Sequence, residues 1–276
     1  MADDSLGATT AEARNVPEMK VVFASKRGKL YRADCLDLLR SVKDRSAQMF
    51  FADPPFNLGK HYGRHGSDQR SDTEYVEWMQ LWIAEAARIL APGGSLFLYN
   101  LPKWLLAIGG FLNSLDGLTF RHWIAISMPN GYPIAKRLYP SHYGLLYYVK
   151  GDRPRTFNRD RVRTPISTCR RCGAEIKDYG GHRGKLNPLG INLSDVWTDV
   201  APVRHRARKH SKACELHPLI LERVILLATD EDDLVIDPFV GSGTTAVIAE
   251  QLKRRWICGD LNSHRTAATR LRAALQ

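Results

Sequence analysis

The chain has 276 residues, 44% of them hydrophobic, enough for one sizeable α/β domain with a real core. Its 40 Lys and Arg outnumber 29 Asp and Glu for a formal charge of +11, and the excess is concentrated: Lys150 to His217 carries 16 basic against 7 acidic residues. No apolar run approaches the ~18 residues of a membrane-crossing helix. The five cysteines (35, 169, 172, 214, 258) form no disulfide-like framework, so a membrane protein or a disulfide-rich secreted scaffold is set aside and a reducing cytoplasm is the expected location.

Residues 1–20 are acidic, small and polar, lack the apolar core of a signal peptide, and read as a disordered lead. A strand near Lys29–Ala33 leads through Asp34 into a short helix over 36–42. The apolar run Ala47–Ala52 reads as a buried strand and ends in Asp53-Pro54-Pro55-Phe56. Proline fixes its own φ and lacks an amide donor, so a double proline stiffens the turn and leaves its carbonyls free as acceptors. A carboxylate, rigid carbonyls and an aromatic ring together suit gripping the amino group of a planar base.

A loop rich in Gly, His and Ser follows, and from Thr73 the apolar spacing of Met79, Trp82, Ile83, Ala86 and Ile89 predicts a helix, stopped by Pro92-Gly93-Gly94. Ser95–Tyr99 reads as a strand, Lys103–Leu115 as a helix, and Thr119–Met128 and Gly144–Val149 as strands. This alternation argues for a parallel or mixed sheet with helices on both faces. Residues 151–215 break the rhythm and read as a basic insertion between a first part, 21–150, and a second, 216–276. The second part predicts a helix over 218–228, a strand over 233–236, a helix after a glycine-rich turn, a strand over 256–259 and a last helix over 263–275.

That glycine-rich turn is Asp237-Pro238-Phe239-Val240-Gly241-Ser242-Gly243-Thr244-Thr245. Glycines let the backbone approach a ligand, and amides at a helix start attract a carboxylate or phosphate. The next strand ends in Asp260, where an acidic side chain can take ribose hydroxyls. Gly-x-x-x-x-Gly-Lys is absent, which leaves a nucleotide-hydrolysing reading without support.

The two motifs together resemble the amino-group DNA methyltransferases in the beta order, where the catalytic motif precedes the cofactor motif. Asp53-Pro54-Pro55-Phe56 matches the family's Asp/Ser-Pro-Pro-aromatic motif, residues 237–245 match the cofactor motif, and Ala33-Asp34-Cys35 stands where the family has Gly-Asp-Cys. The resemblance implies a Rossmann-like methyltransferase sheet with an inserted target-recognition region, S-adenosylmethionine as cofactor and double-stranded DNA as partner. It implies that Asp53 and the Pro54 carbonyl accept N–H groups of an exocyclic amine while Phe56 stacks on a flipped base. It also implies that Asp34, Cys35, Asp237, Pro238, Phe239, Gly241, Ser242, Gly243, Thr244 and Asp260 hold the cofactor. Asp as first motif residue is usual in the adenine-N6 enzymes and Ser in the cytosine-N4 ones, so adenine is expected and cytosine is the alternative. A degenerate, non-catalytic nucleic-acid binding module is the reading from a different class. A role in restriction–modification, a homodimer and no membrane association complete the expectations.

Two features of the insertion stand apart. Cys169-Arg-Arg-Cys172 is knuckle-like, His210 and Cys214 have zinc-ligand spacing with His205 and His182 as other candidates, and a metal staple has a motive in so irregular a segment. Arg204, Arg206, Arg208 and Lys209 form a basic run where a DNA backbone is expected to pass.

Overall fold

The computed structural model describes residues 19–59, 69–128, 138–164, 187–200 and 216–276, together with 136 and 185. β1 (Lys20–Ala24) and β2 (Gly28–Arg32) form an antiparallel hairpin followed by α1 (Cys35–Arg40). β3 (Ala47–Ala52), α2 (Asp72–Ile89), β4 (Leu90–Asn100), α3 (Pro102–Ser114), β5 (Leu118–Ser127) and β6 (His142–Lys150) come next. After a 3-10 turn at Arg159–Val162 the chain adds β7 (Val196–Trp197), α4 (Pro218–Ala228), β8 (Leu234–Asp237), α5 (Thr244–Gln251), β9 (Arg255–Gly259) and α6 (His264–Ala274).

The nine described strands form one sheet in the order β1-β2-β9-β8-β3-β4-β6-β5-β7. β2, β9, β8, β3 and β4 are parallel, β6 opposes both β4 and β5, and β7 is parallel to β5. Successive strand residues face opposite sides, so β3 divides its apolar run between two cores. Met49 and Phe51 join Phe97, Tyr147, Val235 and Trp256 under α4, α5 and α6. Phe50 and Ala52 join Leu96, Leu98, Tyr148 and Ile236 under α1, α2 and α3. Burial on both faces explains why β3 reads as a continuous apolar run rather than an alternating one.

α2 starts one residue before the periodicity suggests, because Ser71 and Glu74 form a reciprocal capping box. Its end differs from the expectation too. The helix stops at Ile89, β4 begins at Leu90, and Pro92-Gly93-Gly94 lies inside the strand as a bulge between the pairs Ala47–Leu90 and Met49–Ser95. Gly93 has φ +75°, and a Cβ there would lie 2.7 Å from the amide of Arg155, which donates to the Gly93 carbonyl.

The flanks of residues 151–215 belong to the main body. β6 runs opposite to β4, so residues 151–164 emerge at the amino-terminal edge of the parallel strands. There Arg155 pairs with Asp233, and the Asn158 amide donates to the carbonyls of Leu226 and Thr229. Residues 187–200 return across the sheet to the opposite edge, where β7 extends the sheet and Trp197 and Val200 enter the core. Arg223 grips Asp199 through two hydrogen bonds and lies over the Trp197 ring at 5.1 Å. A sheet strand and buried aromatic surface inside a segment of low periodicity are what a two-residue strand conceals from a sequence reading.

Candidate active site

β8 passes through α5 to its neighbour β9, whereas β3 passes through α2 to β4 on the other side. The connections therefore diverge between β8 and β3, and divergence of this kind leaves a crevice at the strands' carboxyl ends. Phe50 pairs with Ile236, so Asp53 and Asp237 emerge side by side at that point. Asp260 follows β9, whose Gly259 pairs with Tyr31, and Asp34 follows β2. The fold thus brings both motifs and both flanking acids to one edge of the sheet.

Asp53 is half-buried, and among the described residues no donor reaches its carboxylate. Burial pushes its pKa well above the usual carboxylate range, and the charge of Asp237 pushes it further. The adjacent Pro54 carbonyl has no donor among the described residues either. The other two carbonyls of the turn differ from the expectation of free acceptors. Tyr75 donates its hydroxyl to Pro55 O at 2.6 Å, and Trp104 donates Nε1 to Phe56 O at 2.8 Å. The fully buried Asn100, last residue of β4, donates Nδ2 to the Tyr75 oxygen at 3.0 Å and accepts the Leu101 amide. This chain of bonds locks the turn from behind and leaves Asp53 and Pro54 as its available acceptors. A polar Asn ending an otherwise apolar strand was the sequence signal for it.

Phe56 is 9% exposed and packs against Tyr99 and Tyr143, with centroids 5.9 and 5.6 Å away, while the two tyrosines are 5.1 Å apart. The aromatic surface is therefore shared by three rings, from the turn after β3, from β4 and from β6. Asn57, at φ +55°, exchanges two hydrogen bonds with the backbone of Arg70 and closes the base of the intervening loop.

In the second motif, Asp237 accepts the Phe239 amide at 2.8 Å and the Thr245 hydroxyl at 2.5 Å, and is buried. Burial raises its pKa to about 7 despite those two bonds. Asp237 is thus the internal brace of the turn. The Phe239 ring packs edge-on against Trp78 and Trp82, and Pro238 and Val240 continue the turn. Asp260 accepts the amides of Gly241, Asn262 and Ser263, and burial nevertheless raises its pKa. The Gly241 amide is therefore committed, and the amides facing outward from this turn are those that open α5. Gly241 has φ +52°, and a Cβ there would meet nothing nearer than Phe239 O at 3.9 Å, so the turn borders open space. Arg270 donates to Ser242 and Thr244 from α6, a contact no sequence motif marks.

Asp34 caps α1 by accepting the Leu36 amide at 2.9 Å. Cys35 is buried beside it, and burial pushes its thiol well up. Arg204, Arg206, Arg208 and Lys209 lie outside the described residues, as do Cys169, Cys172, His182, His205, His210 and Cys214. Among the described residues no group of three or more His, Cys, Asp or Glu could hold a metal ion, so the zinc expectation has no structural support. No described helix is long and apolar enough to cross a membrane.

Residues 47–270 match the N6/N4 DNA methylase family. The chain is 48% identical over 261 residues to the type II methyltransferase M.BamHI of Bacillus amyloliquefaciens, covering 95% of this chain and 61% of that one. It thus spans about three-fifths of that relative's length. Among solved structures, PvuII DNA methyltransferase (cytosine-N4-specific) superposes with a TM-score of 0.64 at 18% identity, covering 93% of this chain and 90% of that one. The complex of M1.HpyAVI with S-adenosylmethionine superposes with a TM-score of 0.55 at 21% identity, over 88% of this chain and 100% of that one.

Proposed function

The chain belongs to the N6/N4 DNA methylase family, and on that footing we propose that it transfers a methyl group from S-adenosylmethionine to an exocyclic amine of a base in double-stranded DNA. One observation carries this reading. The half-buried Asp53 carboxylate and the Pro54 carbonyl stand together without donors among the described residues, at the mouth of the crevice and on a rigidly braced turn.

An exocyclic amine presents two N–H donors, and its lone pair is delocalised into the ring, which makes it a poor nucleophile. Asp53 and Pro54 O accept one N–H each, draw the nitrogen toward tetrahedral geometry and return the lone pair to it. The rings of Phe56, Tyr99 and Tyr143 supply apolar surface for a base taken out of its stack. The residues around the second motif fit the cofactor: open space at Gly241, the first amides of α5 for a carboxylate, and acids at the ends of β2 and β9. Bound there, S-adenosylmethionine supplies the activated methyl group on its sulfonium. Asp260 contributes by tying Asn262 and Ser263 to the glycine turn.

Asp53 as first motif residue supports adenine N6 as the acceptor. Cytosine N4 is the second reading, because its amine offers the same two donors and Phe56 lacks the hydroxyl of the commoner tyrosine. The intact Asp53 and glycine turn favour an enzyme over a degenerate binding module. A restriction–modification role and a homodimer belong to the same proposal, the dimer being read by sedimentation of the purified chain.

The test is transfer of labelled methyl to DNA followed by mass spectrometry of the nucleosides. N6-methyladenine is expected from the wild-type chain, and N4-methylcytosine in its place moves the assignment to the second reading. Asp53→Ala is expected to abolish transfer while S-adenosylhomocysteine binding persists. Retention of more than about a tenth of wild-type turnover rules out the assigned role of Asp53.

A further inference from the structure

We propose that Arg70 holds a phosphate of the target DNA strand beside the extruded nucleotide, a step that rests on the methyl-transfer reading above.

Arg70 is exposed and stands directly before Ser71, the cap of α2. Two hydrogen bonds fix its backbone: its amide donates to Asn57 Oδ1 at 2.8 Å, and its carbonyl accepts from Asn57 Nδ2 at 2.9 Å. Asn57 directly follows the Asp53–Phe56 turn, so this tether lies within about 14 Å of Asp53 along the chain. The side chain is fixed separately. Its guanidinium lies over the Trp78 ring, 4.6 Å from the centroid. Trp78 packs in turn against Tyr75, which braces Pro55, and edge-on against Phe239 of the glycine-rich turn, both at 5.6 Å. The cation is therefore seated on a ring that touches the supports of both motifs.

Its donors are open. Arg88, Arg155 and Arg223 each end on a carboxylate, whereas the Arg70 guanidinium makes no ion pair and no hydrogen bond among the described residues. The nearby Glu74 carboxylate is taken by the hydroxyl and amide of Ser71. Stacking uses the face of a guanidinium and leaves its edge N–H groups for an acceptor, and two parallel bonds to phosphate oxygens suit that edge. A base drawn toward Asp53 brings its own phosphodiester to the mouth of the crevice. A cation already stacked in place loses little side-chain freedom when that phosphate arrives. The carboxylate of S-adenosylmethionine is an anion of related chemistry, so the test separates cofactor from DNA.

The experiment measures methyl transfer to genomic DNA from cells lacking this chain, and S-adenosylhomocysteine binding by calorimetry, in wild type, Arg70→Gln and Arg70→Lys. Both substitutions leave the backbone bonds to Asn57 in place. A contact made equally in the ground and transition states acts on KM and spares kcat. Arg70→Gln is expected to raise KM for DNA about tenfold, to leave kcat within about twofold, and to reduce the slope of log kcat/KM against log salt by about one unit. Arg70→Lys is expected to keep the salt slope and to raise KM by about threefold, since the charge remains without the planar fork. Unchanged KM and slope in Arg70→Gln would overturn the phosphate contact. Weakened S-adenosylhomocysteine binding would assign the cation to the cofactor, and a fall in kcat alone would make Arg70 a support of the Asp53–Phe56 turn; either result overturns the proposal. A wild-type chain that transfers no methyl group to the DNA overturns the methyl-transfer reading itself, an outcome distinct from failure of Arg70.

Discussion

Three carboxylates, Asp53, Asp237 and Asp260, end three adjacent strands, and burial raises the pKa of each. Asp237 holds its proton up to about pH 7 in the folded chain, against about 3.9 for an unfolded aspartate. The folded state thus binds more protons in that interval, so stability from this group is full below the lower value and declines as pH rises through the higher one. At about 1.4 kcal/mol per pKa unit, the loss is on the order of 4 kcal/mol. Thermal melts of the cofactor-free chain should accordingly fall between about pH 4 and about pH 7, and Asp237→Asn should flatten that decline. Parallel profiles for the two proteins would remove Asp237 as its cause. The same substitution bears on catalysis, since the Asp237 charge helps hold Asp53 protonated. The acidic limb of the methyl-transfer profile is expected to move to lower pH in Asp237→Asn.

At the scale of elements, the Asp53–Phe56 turn is held by its neighbours more than by itself. The double proline restricts φ, but the carbonyl directions are fixed by Tyr75 of α2, Trp104 of α3 and Asn100 of β4. Removing the Tyr75 hydroxyl leaves an amide of Asn100 and the Pro55 carbonyl unpaired in a nearly dry site, a cost of about 1–3 kcal/mol. Tyr75→Phe should therefore lower the melting temperature and reduce turnover by about tenfold, because the acceptor pair loses its aim. Affinity for S-adenosylhomocysteine should change little, as the cofactor turn hangs on α6 instead. A variant with wild-type turnover would show that the prolines alone position Asp53. The capping box of Ser71 and Glu74 and the tether between Asn57 and Arg70 hold the other end of the same loop. The first has a legible Ser-x-x-Glu spacing, whereas the second appears only once the chain has folded.

At the scale of the whole molecule, the described part of the basic segment is tied to one edge of the sheet. Arg155, Arg159, Arg161 and Arg163 sit on the segment bound at the amino-terminal edge, away from the crevice, and Arg155 and Arg163 are engaged by Asp233 and Asp160. They are poorly placed to meet DNA entering beside Asp53. The run of Arg204, Arg206, Arg208 and Lys209 lies outside the described residues, between Val200 and Leu216, which both pack on the same core cluster. Neutralising three of the four should weaken DNA binding and reduce the slope of log affinity against log salt by about two to three units. An unchanged slope would identify the run as a solvated surface. The anchor formed by Arg223, Asp199 and Trp197 keeps β7 in place and contributes to stability independently of any DNA contact.

The sequence by itself determined the alternation of strands and helices, the two motifs and their order, because apolar periodicity and proline- or glycine-rich turns are local properties of the chain. It placed Asp53-Pro54-Pro55-Phe56 and the 237–245 turn at strand ends. Only the tertiary structure decided that Asp53 and Asp237 stand side by side, since adjacency of β3 and β8 arises from pairing between segments far apart in sequence. The same holds for the Asn100–Tyr75–Pro55 chain, for the three-ring surface around Phe56 and for the Arg270 clasp. In each, single polar or aromatic residues with no motif of their own acquire a role from the neighbours that burial forces them to satisfy.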